Sequence, residues 1–364
     1  MPLIIDSHED LAWNMLTFKR DYTRPLAETR RLEAGTLIPE RNGDSMLGWD
    51  AYQRGQVAVV FSTLFAAPAR KKELWDILWY PDFDTARRLY RDQIHLYHKL
   101  TDSNPDKFRL IASTKELDSV TQAWSTHGDE DEGHPVGLVL LMEGAEGIRT
   151  PDELREWWDQ GLRMIGPAWM GTRYCGGTRE PGPLTDEGRN LLDAMSDFNF
   201  ILDLSHMDEA SALEALDRYE GAIMASHANC AALMQGSDTN RHLPDRVLQG
   251  LIERGGVIGS VPFNTFLKVG WSRTSESRRE EVPLEAYVAH IDHVCQLAGN
   301  SLHAGIGSDF DGGFGLQSVP PGLESVADLQ SIASILTERG YNQTDVENIL
   351  GGNWLRFLRE HLPS

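Results

Sequence analysis

With 364 residues the chain is long enough for one large domain or two, and for a sizeable core. Its formal net charge of −21 argues against nucleic acid or an anionic membrane as a partner. No apolar run reaches membrane-spanning length, and a strand-like run follows Met1 and Pro2 with no signal-peptide pattern, so the expected location is cytoplasmic.

The first apolar run, Leu3, Ile4 and Ile5, leads into Asp6, Ser7, His8, Glu9 and Asp10. Residues two apart in an extended strand point to one face, so His8 and Asp10 can converge on one metal ion. A second run ends near Phe65. The interval 66–100, rich in tryptophan, tyrosine and charge, reads as an insertion, with His95 and His98 on an outer helix as surface residues. The acidic interval 126–134 reads as an exposed loop that leaves His127 and His134 solvated. The third run, Leu138, Val139, Leu140 and Leu141, leads to Glu143. A carboxylate there is costly to bury unless it is paired or metal-bound, and its two oxygens can bridge two cations.

Pro151, Asp152 and Glu153 form a helix start, and a fourth strand ends near Pro167. The fifth run, Phe200, Ile201 and Leu202, ends near Asp203 and precedes His206; Asp208 is placed to cap a helix carrying Leu213, Leu216 and Tyr219. The sixth, Ala222, Ile223 and Met224, precedes His227, and Pro244 and Asp245 start another helix. A seventh ends near Val261, and the charged interval 268–281 after it is a candidate lid. Apolar residues at Tyr287, Val288, Ile291, Val294 and Cys295 then form one helical stripe. The eighth run, Ala304 to Gly307, ends near Ser308, with Asp309 and Asp311 beyond it. Eight strands alternating with helices predict a (β/α)₈ barrel, in which polar groups at strand C-termini form the active-site rim. One barrel spanning 1–364, with insertions near 66–100, 126–134 and 268–281, accounts for the length. The three cysteines, Cys175, Cys230 and Cys295, have no zinc-thiolate or disulfide spacing.

The rim chemistry points to metal-dependent hydrolysis. Imidazoles suit zinc, and His206 and His227 both follow a serine at the end of an apolar run. Asp309 is the candidate general base, able to take a proton from an activated water and return it to a leaving amine. Asp311 ranks second, because the glycines after it suggest a capped turn. Two cations about 3.5–4 Å apart would share a hydroxide and polarise the scissile carbonyl.

The motifs Asp6-Ser7-His8-Glu9-Asp10, Met142-Glu143-Gly144, Leu204-Ser205-His206, Ala225-Ser226-His227, Asn240-Arg241-His242-Leu243-Pro244-Asp245 and Gly307-Ser308-Asp309-Phe310-Asp311-Gly312 together resemble the membrane (renal) dipeptidase family of zinc-dependent hydrolases. The resemblance runs over nearly the whole chain. It implies a (β/α)₈ barrel with two zinc ions, manganese or cobalt being alternatives. By that resemblance His8, Asp10 and Glu143 hold one ion, and Glu143 bridges to a second held by His206 and His227. It also implies Asp309 as acid/base and Arg241 as partner of the substrate carboxylate, a role a guanidinium fork suits. Expected substrates are small dipeptides, with tolerance for a C-terminal D-residue, and a homodimer is plausible by the same resemblance.

Two positions depart from the family pattern. Trp169 stands where the family carries a histidine that helps hold the scissile carbonyl, and Phe263-Asn264 replaces Tyr-Asn. Trp169 and Asn264 are therefore substrate-contact candidates, and Arg173, Tyr174 and His242 are candidate substitutes for the missing donor. The change at Trp169 admits two alternatives: an amidohydrolase acting on N-acyl amino acids or another amide, or a weakly active binding protein.

Overall fold

The computed structural model describes residues 1–125, 133–273 and 276–364. Its centre is a parallel barrel of eight strands: β1 (Ile4–Glu9), β2 (Val57–Leu64), β3 (Val136–Glu143), β4 (Leu162–Gly166), β5 (Ile201–Asp203), β6 (Ile223–Met224), β7 (Ile258–Ser260) and β8 (Ala304–Ile306). Pairing runs β6-β5-β4-β3-β2-β1-β8-β7. A parallel bridge between Ala225 and Ile258 closes the ring between β6 and β7. Each strand is buried along its whole length, which is why most read as continuous apolar runs and not as alternating ones; β1 is the exception, its second half being Asp6, Ser7, His8 and Glu9.

β1 and β3 run two residues beyond their expected ends, so His8 and Glu143 lie inside strands. Parallel pairing holds them there: Glu9 pairs with Ser62, and Glu143 with Gly166. Where the strands meet the rim, the interior is filled by small polar groups. Ser7 Oγ donates toward the carbonyls of Ser226 (2.5 Å) and Ile306 (2.7 Å). A Cβ on Gly259 or Gly307 would lie 2.0 Å from the Ser226 carbonyl oxygen, so the neighbouring backbones approach that closely only with glycine.

The interval 66–100 resolves into a loop and a regular helix. Phe83–Ser103 is a barrel helix capped by Asp82, with Ala86, Leu89, Tyr90, Ile94, Tyr97 and Leu100 on its buried stripe. Tyr90 donates to the carbonyls of Glu143 (2.6 Å) and Gly144 (2.5 Å), and Tyr97 to that of Thr63 (2.8 Å), so this helix braces the ends of β2 and β3. His95 is exposed, and His98 lies against the Gln160 carbonyl at 3.0 Å. Asp208 caps Glu209–Arg218, and Leu284–Ala298 buries the expected stripe. His127 and positions 126–132 of the acidic loop lie outside the described residues, as do 274 and 275 of the expected lid. His134 is half-buried against Trp124. All three cysteines are buried and unpaired. Among the described residues no helix is long and apolar enough to cross a membrane.

Candidate metal centre and substrate cavity

The strand ends bring six predicted residues together: His8, Asp10, Glu143, His206, His227 and Asp309. Glu143 Oε1 lies 3.0 Å from His206 Nε2 and 3.4 Å from His227 Nε2. The latter two nitrogens are 2.9 Å apart. His8 Nε2 stands 3.9 Å from both Asp10 Oδ2 and Asp309 Oδ1. Donor atoms of His8, Glu143 and His227 lie within 4.8 Å of one another, as do those of His8, Asp10 and Asp309. His8 thus belongs to both groups, and its ring lies against that of His227, tilted by 32° with the centroids 3.6 Å apart.

Every imidazole presents Nε2 to the carboxylates and rests Nδ1 on a hydroxyl. Thr178 Oγ1 is 3.0 Å from His206 Nδ1, and Ser226 Oγ is 2.8 Å from His227 Nδ1 and 3.4 Å from His8 Nδ1. Burial first, and then the Arg241 charge, holds His8 down at about 3. Burial likewise keeps His206 and His227 well below the ordinary histidine range. The carboxyls move the other way. Burial and then the neighbouring Asp311 charge raise Asp10 to about 7. Glu143 and Asp309 are raised well above their ordinary values by burial and by neighbouring carboxylates, chiefly Asp10.

The backbone is specialised at these positions. His206 (φ 66°), Asp309 (φ 55°) and Asp311 (φ 64°) adopt the left-handed region, uncommon for residues other than glycine and tolerated best by Asp, Asn and His. A Cβ on Gly312 would fall 2.0 Å from Asp309 Oδ1 and 2.9 Å from Asp10 Oδ2. Asp311, the second-ranked candidate, faces away from the rim. Its carboxylate accepts from Ser45 Oγ (2.7 Å) and the Met46 N–H (2.8 Å) and pairs with Arg20 Nη1 at 2.9 Å. The left-handed turn after Asp309 breaks the two-residue alternation that would have kept both aspartates on one face.

A cavity of about 560 Å³ opens over this cluster, and an adjoining chamber of about 870 Å³ shares Lys71, Trp169, His206, Arg241, Phe263 and Phe266 with it. Arg241 is 3% exposed. Its Nη2 donates to the His227 carbonyl at 2.6 Å, while Nε and Nη1 have no hydrogen-bond partner. Trp169 lines both chambers and packs edge-on against Phe65 at 4.9 Å. Asn264 is fully enclosed behind the wall, its amide nitrogen and oxygen unpartnered, and Phe263 holds the wall position beside it. None of the three candidate substitute donors lines either chamber. Arg173 and Tyr174 bond to each other at 2.6 Å and both turn to the Ile148 carbonyl, and His242 packs edge-on to Phe266 at 5.3 Å. Cys230 is likewise off the cavity, its N–H on His290 Nδ1 at 3.1 Å. Trp13, Arg41, Lys71 and Trp75 form wall that the sequence does not announce: Trp13 and Arg41 sit on helices of seven and five residues, Lys71 on a single 3₁₀ turn and Trp75 in the loop after it, all too short to show a periodic stripe. The hydroxyl behind His227 had a visible signal, the serine preceding the histidine.

The profile of the family described as membrane dipeptidase (peptidase family M19) matches residues 1–362. The chain belongs to this family. Membership makes it a hydrolase and implies a metal cofactor. Among relatives, an uncharacterized protein in the pqqA 5′ region of Klebsiella pneumoniae is 28% identical over 294 residues, 78% of this chain and 96% of that protein. Dipeptidase tcpJ of Claviceps purpurea is 33% identical over 233 residues, 62% of this chain and about half (51%) of that protein. Two solved structures share the fold. A metallopeptidase from Rhodobacter sphaeroides, liganded with a phosphinate mimic of the dipeptide L-Ala-D-Ala, superposes at TM-score 0.74 with 23% identity over 99% of each chain. The probable dipeptidase PvdM from Pseudomonas aeruginosa gives 0.74 with 20% identity over 99% of this chain and 96% of that one.

Proposed function

We propose that this member of the family is a metal-dependent dipeptidase hydrolysing small dipeptides, with His8, Asp10, Glu143, His206 and His227 holding two divalent cations. The observation that carries the reading is the juxtaposition of a desolvated imidazole–carboxylate cluster with an unspent, buried guanidinium in one cavity. The donor set fits cations. Burial disfavours the charged form of all three imidazoles, so each ring keeps one nitrogen lone pair to offer a cation, and Asp10 Oδ1 is a buried oxygen with no hydrogen-bond partner. Buried carboxylates that repel one another this strongly are stabilised by positive charge. A nitrogen-rich set favours zinc, with manganese and cobalt also accepted. Bound there, the cations would polarise the scissile carbonyl and acidify the attacking water.

The chain's own groups supply the rest. Arg241 Nε and Nη1 are free to bind a substrate carboxylate. Asp309 takes one proton from the attacking water as its oxygen bonds to the carbonyl carbon. It returns that proton to the amide nitrogen as the C–N bond breaks, and its raised proton affinity suits a group that must hold and then release a proton. Trp169 bounds the substrate's side of the site. Tolerance for a C-terminal D-residue is supported by the resemblance and by the L-Ala-D-Ala mimic bound to the Rhodobacter relative.

The test is turnover of L-L and L-D dipeptides against N-acyl amino acids by protein loaded with zinc, manganese or cobalt, with metal content measured in parallel. Dipeptide hydrolysis rising with metal content is expected. Turnover confined to N-acyl amino acids would replace the dipeptidase reading with the amidohydrolase one. Less than one equivalent of metal and no activation by zinc would end both.

A further inference from the structure

We propose that Ser226 is a positioning residue whose single hydroxyl sets the tautomers of two imidazoles at once, those of His8 and His227. Ser226 is fully buried, and its Oγ lies 2.5 Å from Asp203 Oδ2, 2.8 Å from His227 Nδ1 and 3.4 Å from His8 Nδ1. A serine hydroxyl has one proton to donate and lone pairs to accept with. Asp203 decides where that proton goes. Its Oδ1 already accepts the backbone N–H groups of Ser205 (3.0 Å) and Ser226 (2.8 Å), and its Oδ2 receives the Ser226 hydroxyl. Burial raises Asp203 above its ordinary value, and the donors aimed at it work the other way: two backbone N–H groups make Oδ1 an acceptor, and the Ser226 hydroxyl is the donor aimed at Oδ2. With its proton committed to Asp203, Ser226 Oγ faces the two rings as an acceptor only. A hydrogen bond to either Nδ1 then requires that nitrogen to carry the hydrogen.

The consequence appears at the opposite ring atoms. A neutral imidazole protonated at Nδ1 has its lone pair on Nε2. His8 Nε2 is the atom 3.9 Å from Asp10 and Asp309, and His227 Nε2 the atom 3.4 Å from Glu143. Thr63 Oγ1, 3.3 Å from His8 Nε2, offers a donor to that lone pair. Ser205 Oγ, 3.2 Å from Ser226 Oγ, accepts the His227 backbone N–H at 3.0 Å and so holds the second ring's backbone in place. His206 is outside this arrangement, since its Nδ1 rests on Thr178. One serine therefore prepares a donor in each half of the proposed cage, whereas Thr178 prepares one donor in one half. The tautomer assignment stands on the hydrogen-bond geometry with Asp203 as the acceptor of the Ser226 proton; its effect on metal affinity rests on the metal centre proposed above.

Two measurements test this on the full chain. Long-range ¹H–¹⁵N spectra of ¹⁵N-histidine-labelled protein, as purified and after chelation, should give His8 and His227 as Nδ1–H tautomers. In Ser226→Ala the chelated protein should show both rings populating the Nε2–H form. An Nε2–H signature for either ring in the unsubstituted chain, or unchanged tautomers in the variant, would overturn the proposal. Competition with a chromophoric chelator should show Ser226→Ala weakening both zinc equivalents by about 10–100-fold, the range expected when a partner behind a ligand is lost. Thr178→Ala should weaken one. Loss confined to one equivalent in Ser226→Ala, or to none, would also overturn it. If the unsubstituted chain takes up no zinc, the metal-centre reading fails, and the tautomer spectra still judge Ser226 by themselves.

Discussion

Left-handed backbone at Asp309 restricts what can replace it, and asparagine is the isostere that tolerates the same φ. Asp309→Asn is expected to keep metal content near that of the unsubstituted chain while lowering kcat by about 10²–10⁴, the usual contribution of a positioned acid/base. Metal analysis beside steady-state kinetics checks this, and loss of metal would make Asp309 a ligand instead. Arg241 makes a different kind of contribution. Two of its guanidinium nitrogens are buried without partners, so a substrate carboxylate would complete bonds the fold leaves open. Arg241→Ala should raise KM by about 10- to 150-fold for dipeptides with a free carboxylate, equivalent to about 1.5–3 kcal/mol for hydrogen bonds to a charged group. It should matter little for C-terminally amidated substrates. Equal effects on both would remove the clamp.

Strand ends and the turns after them turn these residues into a site. The turn after β8 closes so tightly that a methyl group on Gly312 would strike the Asp309 carboxylate. Gly312→Ala is expected to lower kcat/KM by about 10²-fold through misplacement of that carboxylate, with Tm little changed because the turn lies outside the strands. Activity within twofold of the unsubstituted chain would mean that the turn relaxes. The helix Phe83–Ser103 acts from below. Tyr90→Phe removes the donor to the carbonyls of Glu143 and Gly144 and should cost about 1–3 kcal/mol in denaturant unfolding. A smaller loss would mean those carbonyls find other partners. This helix was the least legible element. Its buried stripe is periodic, but the charge on its outer face and the tryptophans before it drew attention to an insertion. The Leu284–Ala298 stripe, less diluted by charge, was plain. Asp311 takes its second rank from the glycines after it, and the structure turns it onto Ser45, Met46 and Arg20, because residues two apart share a face only while the backbone stays extended.

At the scale of the whole molecule, burial sets two groups of titrations against each other. Asp6 is raised to about 6 and Asp10 to about 7 from 3.8, in both cases chiefly by burial, so the folded chain binds more protons than the unfolded one and stability falls as pH rises through those values. His8, lowered from 6.5 to about 3, does the reverse: its contribution falls as pH drops from 6.5 toward 3. Above pH 6.5 the histidine term is complete and the carboxyl term remains. Chelated protein should therefore lose Tm from pH 6.5 to 8 as Asp10 ionises, while metal-loaded protein, whose Asp10 would be held in the charged form, should lose little over that range. The loaded state should be the more stable by about 2.7 kcal/mol at one hundred times Kd. A Tm gap that does not widen with pH would remove the link between Asp10 and the metal. The order of apolar runs, and the acids and imidazoles that end them, sufficed to specify the barrel and to put His8, Asp10, Glu143, His206, His227 and Asp309 on one rim, because a buried parallel strand is mainly apolar and gathers its polar groups toward its C-terminal end, Asp6 within β1 being held there by Ser308. The direction of Asp311, the withdrawal of Asn264, Arg173, Tyr174 and His242 from the cavity, and the sharing of one serine between two imidazoles were decided by tertiary structure. They depend on turns in left-handed backbone and on contacts between residues more than two hundred positions apart, such as Ser226 and His8, and local pattern contains neither.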